Sequence, residues 1–394
     1  MYNSPLEVIR IKRLFKDGYV YETESAAFIK SDILTDGSAI IEVGENICPR
    51  AADETVDCTD KYIIPGLVDV HTHGRAGYYF NKITDESVEV MRRSYAKAGT
   101  TTVMATLASA PLEELYASSE TVNRHRKAKG GRATIAGIHL EGRYLNPLCR
   151  GAHAAELLAP LSADEAGNLI DAMMPLPVHV SAALELADDS FYKAVNSRGA
   201  TLGLAHSNAT YDEAMTAVEK GAVSFTHTFN AMRKIHHREP GNISASMLSD
   251  AYSEVICDGE HVHPAMVSML DRLKRKGKLV LITDSMEGAG CPDGEYSIAG
   301  QKVFVKDGRA VNVDGALAGS TLDLFRALKN YMRFCGRTLE EAIPAATSNP
   351  AAMVGISDTC GSIKEGMRAD LIILDSKETM NILSVVAAGD DVTL

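Results

Sequence analysis

Eight short apolar runs, most of them separated by a helical pattern, constrain this chain more than any other feature. The runs fall at 67–71, 101–106, 133–140, 178–182, 201–205, 223–226, 255–257 and 278–283. Helical periodicity occupies 85–98, 111–127, 162–174, 190–198, 211–220 and 264–276. A helix between two strands carries the chain back to start the next strand in the same direction, so the strands pair in parallel. Eight such units predict a closed (β/α)8 barrel of the TIM type. An open doubly wound sheet is the runner-up, but no G-x-G-x-x-G follows the first run.

Both chain ends have a different texture. Glu7 to Lys12 and Ser38 to Gly44 alternate like strands, with turn signals at Asp17-Gly18 and Asp36-Gly37. Strand-like runs return at 361–375 and 384–387. These predict a small β-sandwich domain built from both chain ends, 1–60 with 348–394, beside a catalytic barrel over 61–347. Tyr296 to Val305, with turn signals at Ala299-Gly300 and Asp307-Gly308, reads as a hairpin inserted after the eighth strand.

A net charge of -12 argues against a general nucleic-acid or anionic-membrane surface. The seven cysteines are scattered without Cys-x-x-Cys, which fits a reducing compartment. No apolar run approaches the ~20 residues of a membrane helix, and Met1 to Pro5 lacks the basic start of a leader. The expectation is a soluble cytoplasmic protein with neither nucleic-acid nor membrane partners.

In a barrel of this kind the active site lies at the C-terminal strand ends. The first run ends in His71-Thr72-His73, and alternation turns both imidazoles to one face. The third ends in His139-Leu140-Glu141, the fifth in His206, the sixth in His227, the seventh in Asp258 to His261 and the eighth in Asp284. Ligand-type residues at six strand ends of eight are hard to assign to packing. Imidazole nitrogens with a carboxylate oxygen suit zinc, iron(II) or a similar divalent ion. Asp284, isolated at the last strand end, suits a base beside a metal-activated water. His125, His179 and His263 read as structural, and His139 stays open between core and site.

These residues bring out a resemblance. Pro65-Gly66 to His73, a His after the fifth and sixth strands and an Asp after the eighth resemble the amidohydrolase superfamily. Many members bridge two metals through a carboxylated lysine on the fourth strand; no lysine lies between His139 and Phe191. Within the superfamily the chain is similar to the N-acetylglucosamine-6-phosphate deacetylases. The stretches that carry this are His139 to Gly142, Gly151 to His153, Ala205 to Thr210, Thr226 to Met232, His237 to Gly241, Asp258 to Val262, Thr283 to Met286 and Leu317 to Thr321.

The resemblance implies that Glu141, His206 and His227 hold one metal and that His71 and His73 hold a second, bridged by Glu141. Zinc or iron, one or two ions per chain, is the implied cofactor. It implies Asp284 as general base and then acid. Ala152, His153, Asn230, Ala231, His261 and Leu317, Ala318 and Gly319 would line a pocket for a small phosphorylated amino sugar. Arg238 would bind the 6-phosphate across the interface of a homodimer. Arg143 stands where many members have proline, Tyr79 where an Asp is common, and Asn242-Ile243-Ser244 replaces a small apolar run. Another amidohydrolase, acting on a cyclic amide or an N-acyl amino acid, is the nearest alternative. A barrel that has lost catalysis is the remote one.

Overall fold

The computed structural model of the chain describes residues 11–298, 301–313 and 315–394. The expected strand at Glu7 to Lys12 therefore lies mostly outside the described residues, as do Met1 to Pro5 and the Ala299-Gly300 turn.

Eight strands form one parallel sheet in chain order. They are β1 (Leu67–Thr72), β2 (Thr100–Ala108), β3 (Thr134–Glu141), β4 (Val178–Ala182), β5 (Thr201–Leu204), β6 (Ala222–Phe225), β7 (Tyr252–Ile256) and β8 (Leu279–Ile282). The chain closes the ring just past β8, where Thr72 bridges Ser285 in parallel and the Asp284 N–H donates to the His71 carbonyl at 2.9 Å. The (β/α)8 barrel is thus sealed between the ends of β1 and β8, at His71 and Asp284. Every residue of β1 and β2 is buried, as expected of parallel strands covered on both faces.

The helices form where the sequence supplies caps. Thr84 and Thr210 make capping boxes at the starts of Asp85–Lys97 and Tyr211–Glu219. Ser162 caps Ala163–Met173 and Asp188 caps Asp189–Asn196. Besides the six-residue Ser348–Met353, one helix escaped the periodicity, Gly241–Leu248 between β6 and β7. It is short, opens at Pro240-Gly241 and buries six of its eight residues, polar and apolar alike, so no apolar stripe marks it.

A second, mixed sheet is built from both chain ends. The antiparallel pair Tyr62–Pro65 and Leu371–Leu374 joins the N-terminal strands to the C-terminal ones. Phe15, Ile33 and Ile63 share a separate core with Met367, Leu371 and Val386. The segment after β8 has three strands, not two: Gly294–Ile298, Gln301–Lys306 and Arg309–Asn312. Ile298, Val303 and Val305 pack with Tyr79, Ala108 and Met286, so this flap leans on the barrel mouth.

Gly66 joins the two sheets. Its N–H donates to the Asp370 carbonyl at 2.9 Å, and a Cβ there would sit 2.1–2.8 Å from the Thr101 side chain. Thr101 is fully buried, and a β-branched side chain has little freedom to retreat. Gly66→Ala is expected to destabilise the fold by about 1–3 kcal/mol, read as a lower urea midpoint, with Thr101→Ala in the same chain returning part of the loss. An unchanged midpoint in the single variant would contradict this packing.

Candidate metal centre and active site

Glu141, the last residue of β3, is almost wholly buried. Its two oxygens face different pairs of histidines. Oε1 lies 2.9 Å from His227 Nε2 and 3.3 Å from His206 Nε2. Oε2 lies 2.9 Å from His73 Nε2 and 3.5 Å from His71 Nε2. Two ligand-capable groups result, Glu141 with His206 and His227, and Glu141 with His71 and His73. Asp284 stands beside the second group, its Oδ1 3.3 Å from His73 Nε2 and 3.6 Å from His71 Nε2.

The hydrogen bonds behind these rings decide which nitrogen faces inward. His206 Nδ1 lies 2.8 Å from the Cys149 carbonyl, which only accepts, so Nδ1 carries the proton and Nε2 a lone pair. That lone pair points at Glu141 Oε1 and at His227 Nε2, 3.1 Å away. His71 Nδ1 lies 3.2 Å from Glu254 Oε2, so Nδ1 carries a proton and Nε2 is the nitrogen turned toward Glu141 and Asp284, with a lone pair there once the ring is neutral. His71 Nε2 is buried without a hydrogen-bond partner. Lone pairs converging on carboxylate oxygens repel unless a proton or a metal cation lies among them. The donor set therefore fits one or two divalent ions per chain.

Electrostatics agree. Burial works against the charge on Asp284, but His71 and His73 outweigh it and hold the carboxyl down at about 2. Burial also raises Glu141, and the charge of His71 with hydrogen bonds from His153, His206 and His227 brings it well below the ordinary carboxylate range. Burial lowers His73, yet hydrogen bonds to Asp284 and Glu141 raise it to about 9. Protons on the β1 pair thus supply the positive charge that a divalent ion supplies in their place. His206 is pushed down to about 4, chiefly by burial, and a neutral imidazole is the form that ligates a metal.

Strand ends carry strained backbone here. His206, His227 and Asp284 have φ of 44°, 32° and 48°, a region non-glycine residues enter at a cost. The turns aim each side chain back over the mouth instead of along the next helix. The pocket so formed, about 180 Å³, is lined by Glu141, His206, His227, His73 and Asp284. Ala152, His153, Asn230, Ala231, His261, Leu317, Ala318 and Gly319 complete it, with Gly151 and Ile298.

Of the expected residues, two lie off this wall. His71 sits one layer below it, and Arg238 is exposed on the loop after β6, its guanidinium 2.8 Å from His237 Nε2. His139 is buried beneath the site, its ring 4.5 Å from that of His71 and its Nε2 2.7 Å from Ser181 Oγ. His179 is buried against Thr201, His125 meets Asp85 near the surface and His263 caps the helix Pro264–Leu273.

Sequence reasoning missed Glu254, Ser109, Gly151 and Ile298. Glu254 had a readable signal, being a lone carboxylate inside the strand β7. It is fully buried, and its Oε2 also accepts from the His227 backbone N–H at 3.4 Å. One oxygen thus holds a ring from β1 and the main chain after β6.

The comparisons with known proteins point the same way. Residues 62–392 match the model of the amidohydrolase family. The chain is 33% identical over 320 residues to an N-acetylgalactosamine-6-phosphate deacetylase of Escherichia coli O157:H7, covering 80% of this chain and 84% of that protein. It is 33% identical over 317 residues to an N-acetylglucosamine-6-phosphate deacetylase of Vibrio furnissii, covering 80% and 79%. The crystal structure of N-acetylglucosamine-6-phosphate deacetylase from Pasteurella multocida superposes with a TM-score of 0.90 at 26% identity, over 97% of this chain and all of that one.

Removing the Glu254 carboxylate should unseat His71 first. For Glu254→Leu, the affinity of the His71–His73–Glu141 group for a divalent ion is expected to fall about 10- to 100-fold, with the His206–His227–Glu141 group affected less. Metal content after dialysis against graded chelator measures this. Retention equal to the unmodified protein would show that Glu254 does not orient the ligand.

Proposed function

The chain belongs to the amidohydrolase family, and from that premise we propose that it hydrolyses the acetamide of N-acetylglucosamine 6-phosphate to glucosamine 6-phosphate and acetate. The observation that carries this reading is Glu141 shared between two histidine pairs, with an ionised Asp284 3.3 Å from one of them. The similarity to deacetylases of N-acetylhexosamine 6-phosphates supports the substrate class.

Glu141, His206 and His227 would hold one ion, and His71 and His73, with Glu141 between, a second. A bound divalent ion supplies Lewis acidity, lowering the pKa of a water and drawing charge from the carbonyl oxygen. The remaining work belongs to side chains. Asp284 is charged at neutral pH and stands on the pocket wall, where it takes a proton from the attacking water and returns it to the departing nitrogen. His153 and His261 flank the sugar. His261 is held by Asp258, whose Oδ2 lies 2.6 Å from its Nδ1. Leu317, Ala318, Gly319 and Ile298 close the side of the pocket where the acetyl methyl needs apolar contact. Asn230 and Ala231 line the same pocket.

The relative of equal identity named for N-acetylgalactosamine 6-phosphate makes that sugar, the 4-epimer, the second substrate to assay. The setting of this proposal is the cytoplasm. None of the described helices is long and apolar enough to cross a membrane, and all seven cysteines are free. The partner of this proposal is a second copy of the chain. Arg238, exposed in a single chain, is where the resemblance puts phosphate recognition across a dimer interface.

Asp284→Asn keeps the shape and loses the proton acceptor. Turnover of N-acetylglucosamine 6-phosphate should fall about 10²- to 10⁴-fold with metal content unchanged. A variant that stays active but loses metal would make Asp284 a ligand and not the base.

Arg238 should read the phosphate. The chain carries a net charge of -12, so attraction of a phosphosugar has to be local. Arg238→Ala is expected to cost on the order of 2–4 kcal/mol in transition-state binding. That is roughly a 30- to 1,000-fold drop in kcat/KM for the phosphorylated sugar, with the unphosphorylated sugar affected little. Equal slowing of both substrates would sink this role.

A further inference from the structure

The hydroxyl of Ser109, just past β2, meets His153 Nδ1 at 2.9 Å. The same hydroxyl oxygen accepts the backbone N–H of Arg143 at 2.9 Å. With that lone pair engaged, the Ser109 O–H is free to donate, and His153 Nδ1 is the acceptor within reach. The Ser109 backbone N–H, a donor and nothing else, also points at Nδ1 from 3.4 Å. Two donors aimed at one ring nitrogen leave no place for a proton on it. In the neutral ring the proton then sits on Nε2.

That nitrogen is the one on the pocket side. It lies 3.7 Å from Glu141 Oε2, and His153 lines the pocket while being buried itself. We propose that Ser109, oriented by the Arg143 backbone N–H, is a positioning residue that fixes His153 as a hydrogen-bond donor to an oxygen acceptor on the substrate, a carbonyl or hydroxyl oxygen of the acylated sugar. The substrate half of this rests on the function proposed above; the tautomer does not.

The local backbone is arranged around this contact. Gly142 has φ of 147°, and a Cβ on it would fall 2.3 Å from the Ser109 nitrogen and 2.5 Å from its hydroxyl. The chain leaving β3 therefore passes directly over Ser109, which only glycine allows. Arg143 follows with φ of 63°. A proline at 143 would have neither the N–H nor access to that angle. The Arg143 side chain anchors the arrangement, donating to Glu165 at 2.9 Å and to the Ala110 carbonyl at 3.0 Å. Its backbone thus grips one residue after β2 and its guanidinium the next. Ser109 itself is 2% exposed, so water does not compete for its hydroxyl.

The test is the ring's tautomer, read by nitrogen NMR of zinc-loaded protein labelled at histidine, with the ring neutral and His153 assigned by its loss in His153→Gln. The unmodified protein should show the proton on Nε2. Ser109→Ala should move the ring toward the other tautomer and lower kcat/KM for N-acetylglucosamine 6-phosphate about 5- to 10-fold, the scale of one hydrogen bond. Arg143→Ala, which keeps the backbone N–H, should leave the tautomer in place. A proton on Nδ1 in the unmodified protein, or an unchanged ring in Ser109→Ala, overturns the proposal without recourse to any variant's activity. A tautomer that moves while kcat/KM holds overturns the substrate contact, and with it the placement of His153 in the proposed function, leaving the Ser109 device standing.

Discussion

Four imidazoles turn toward the two oxygens of a single buried carboxylate, and the structure depends on what compensates that arrangement. Glu141 is taken out of water at a cost of several kcal/mol for a bare charge. Its surroundings answer with Nε2 atoms 2.9 to 3.5 Å away and not with a lysine or arginine. Imidazole can supply either a proton or a lone pair, and the bonds behind the rings decide which nitrogen is left to do so. The Cys149 carbonyl behind His206 and the Glu254 carboxylate behind His71 both take up Nδ1–H. A cluster held in that state is poised for a cation.

The barrel makes the arrangement rigid. Ring closure and site assembly coincide at Asp284, whose backbone bonds to His71 while its side chain faces His73. The same chain then gives its carbonyl to Ser320 at 2.8 Å, tying the flap to the mouth. Positive φ at His206, His227 and Asp284 is tolerated because the surrounding strands over-determine it. The departures from the family pattern fit the same frame. Asn242 is buried and donates to the Ser207 carbonyl at 2.8 Å. Tyr79 packs under the flap beside Met286 and Ile298.

Much of this was readable before any coordinates. Parallel strands bury both faces, so their apolar runs stand out, and the chemistry follows directly after each run. That is why His71, His73, Glu141, His206, His227 and Asp284 could be gathered from order alone. What escaped was set by distant contacts. Glu254 is four residues before the motif that drew attention to β7, and its value lies in a ring on β1, 183 residues away. Ser109 carries no pattern of its own, and its role comes from the backbone angle at Arg143. The helix Gly241–Leu248 lacked a polar face to betray it. Arg238 could be named as a basic loop residue, and the structure leaves it exposed on the loop after β6.

The measurement that bears most directly on the shared-carboxylate account is anomalous X-ray diffraction from crystals of active protein, collected across the absorption edge of the metal it carries. The account predicts a peak within bonding distance, about 2.0–2.2 Å, of Glu141 Oε1 and the Nε2 atoms of His206 and His227. Any second peak should lie against Glu141 Oε2, His71 and His73. Active crystals with no peak at Glu141, or with the metal held by residues outside these two groups, would contradict it.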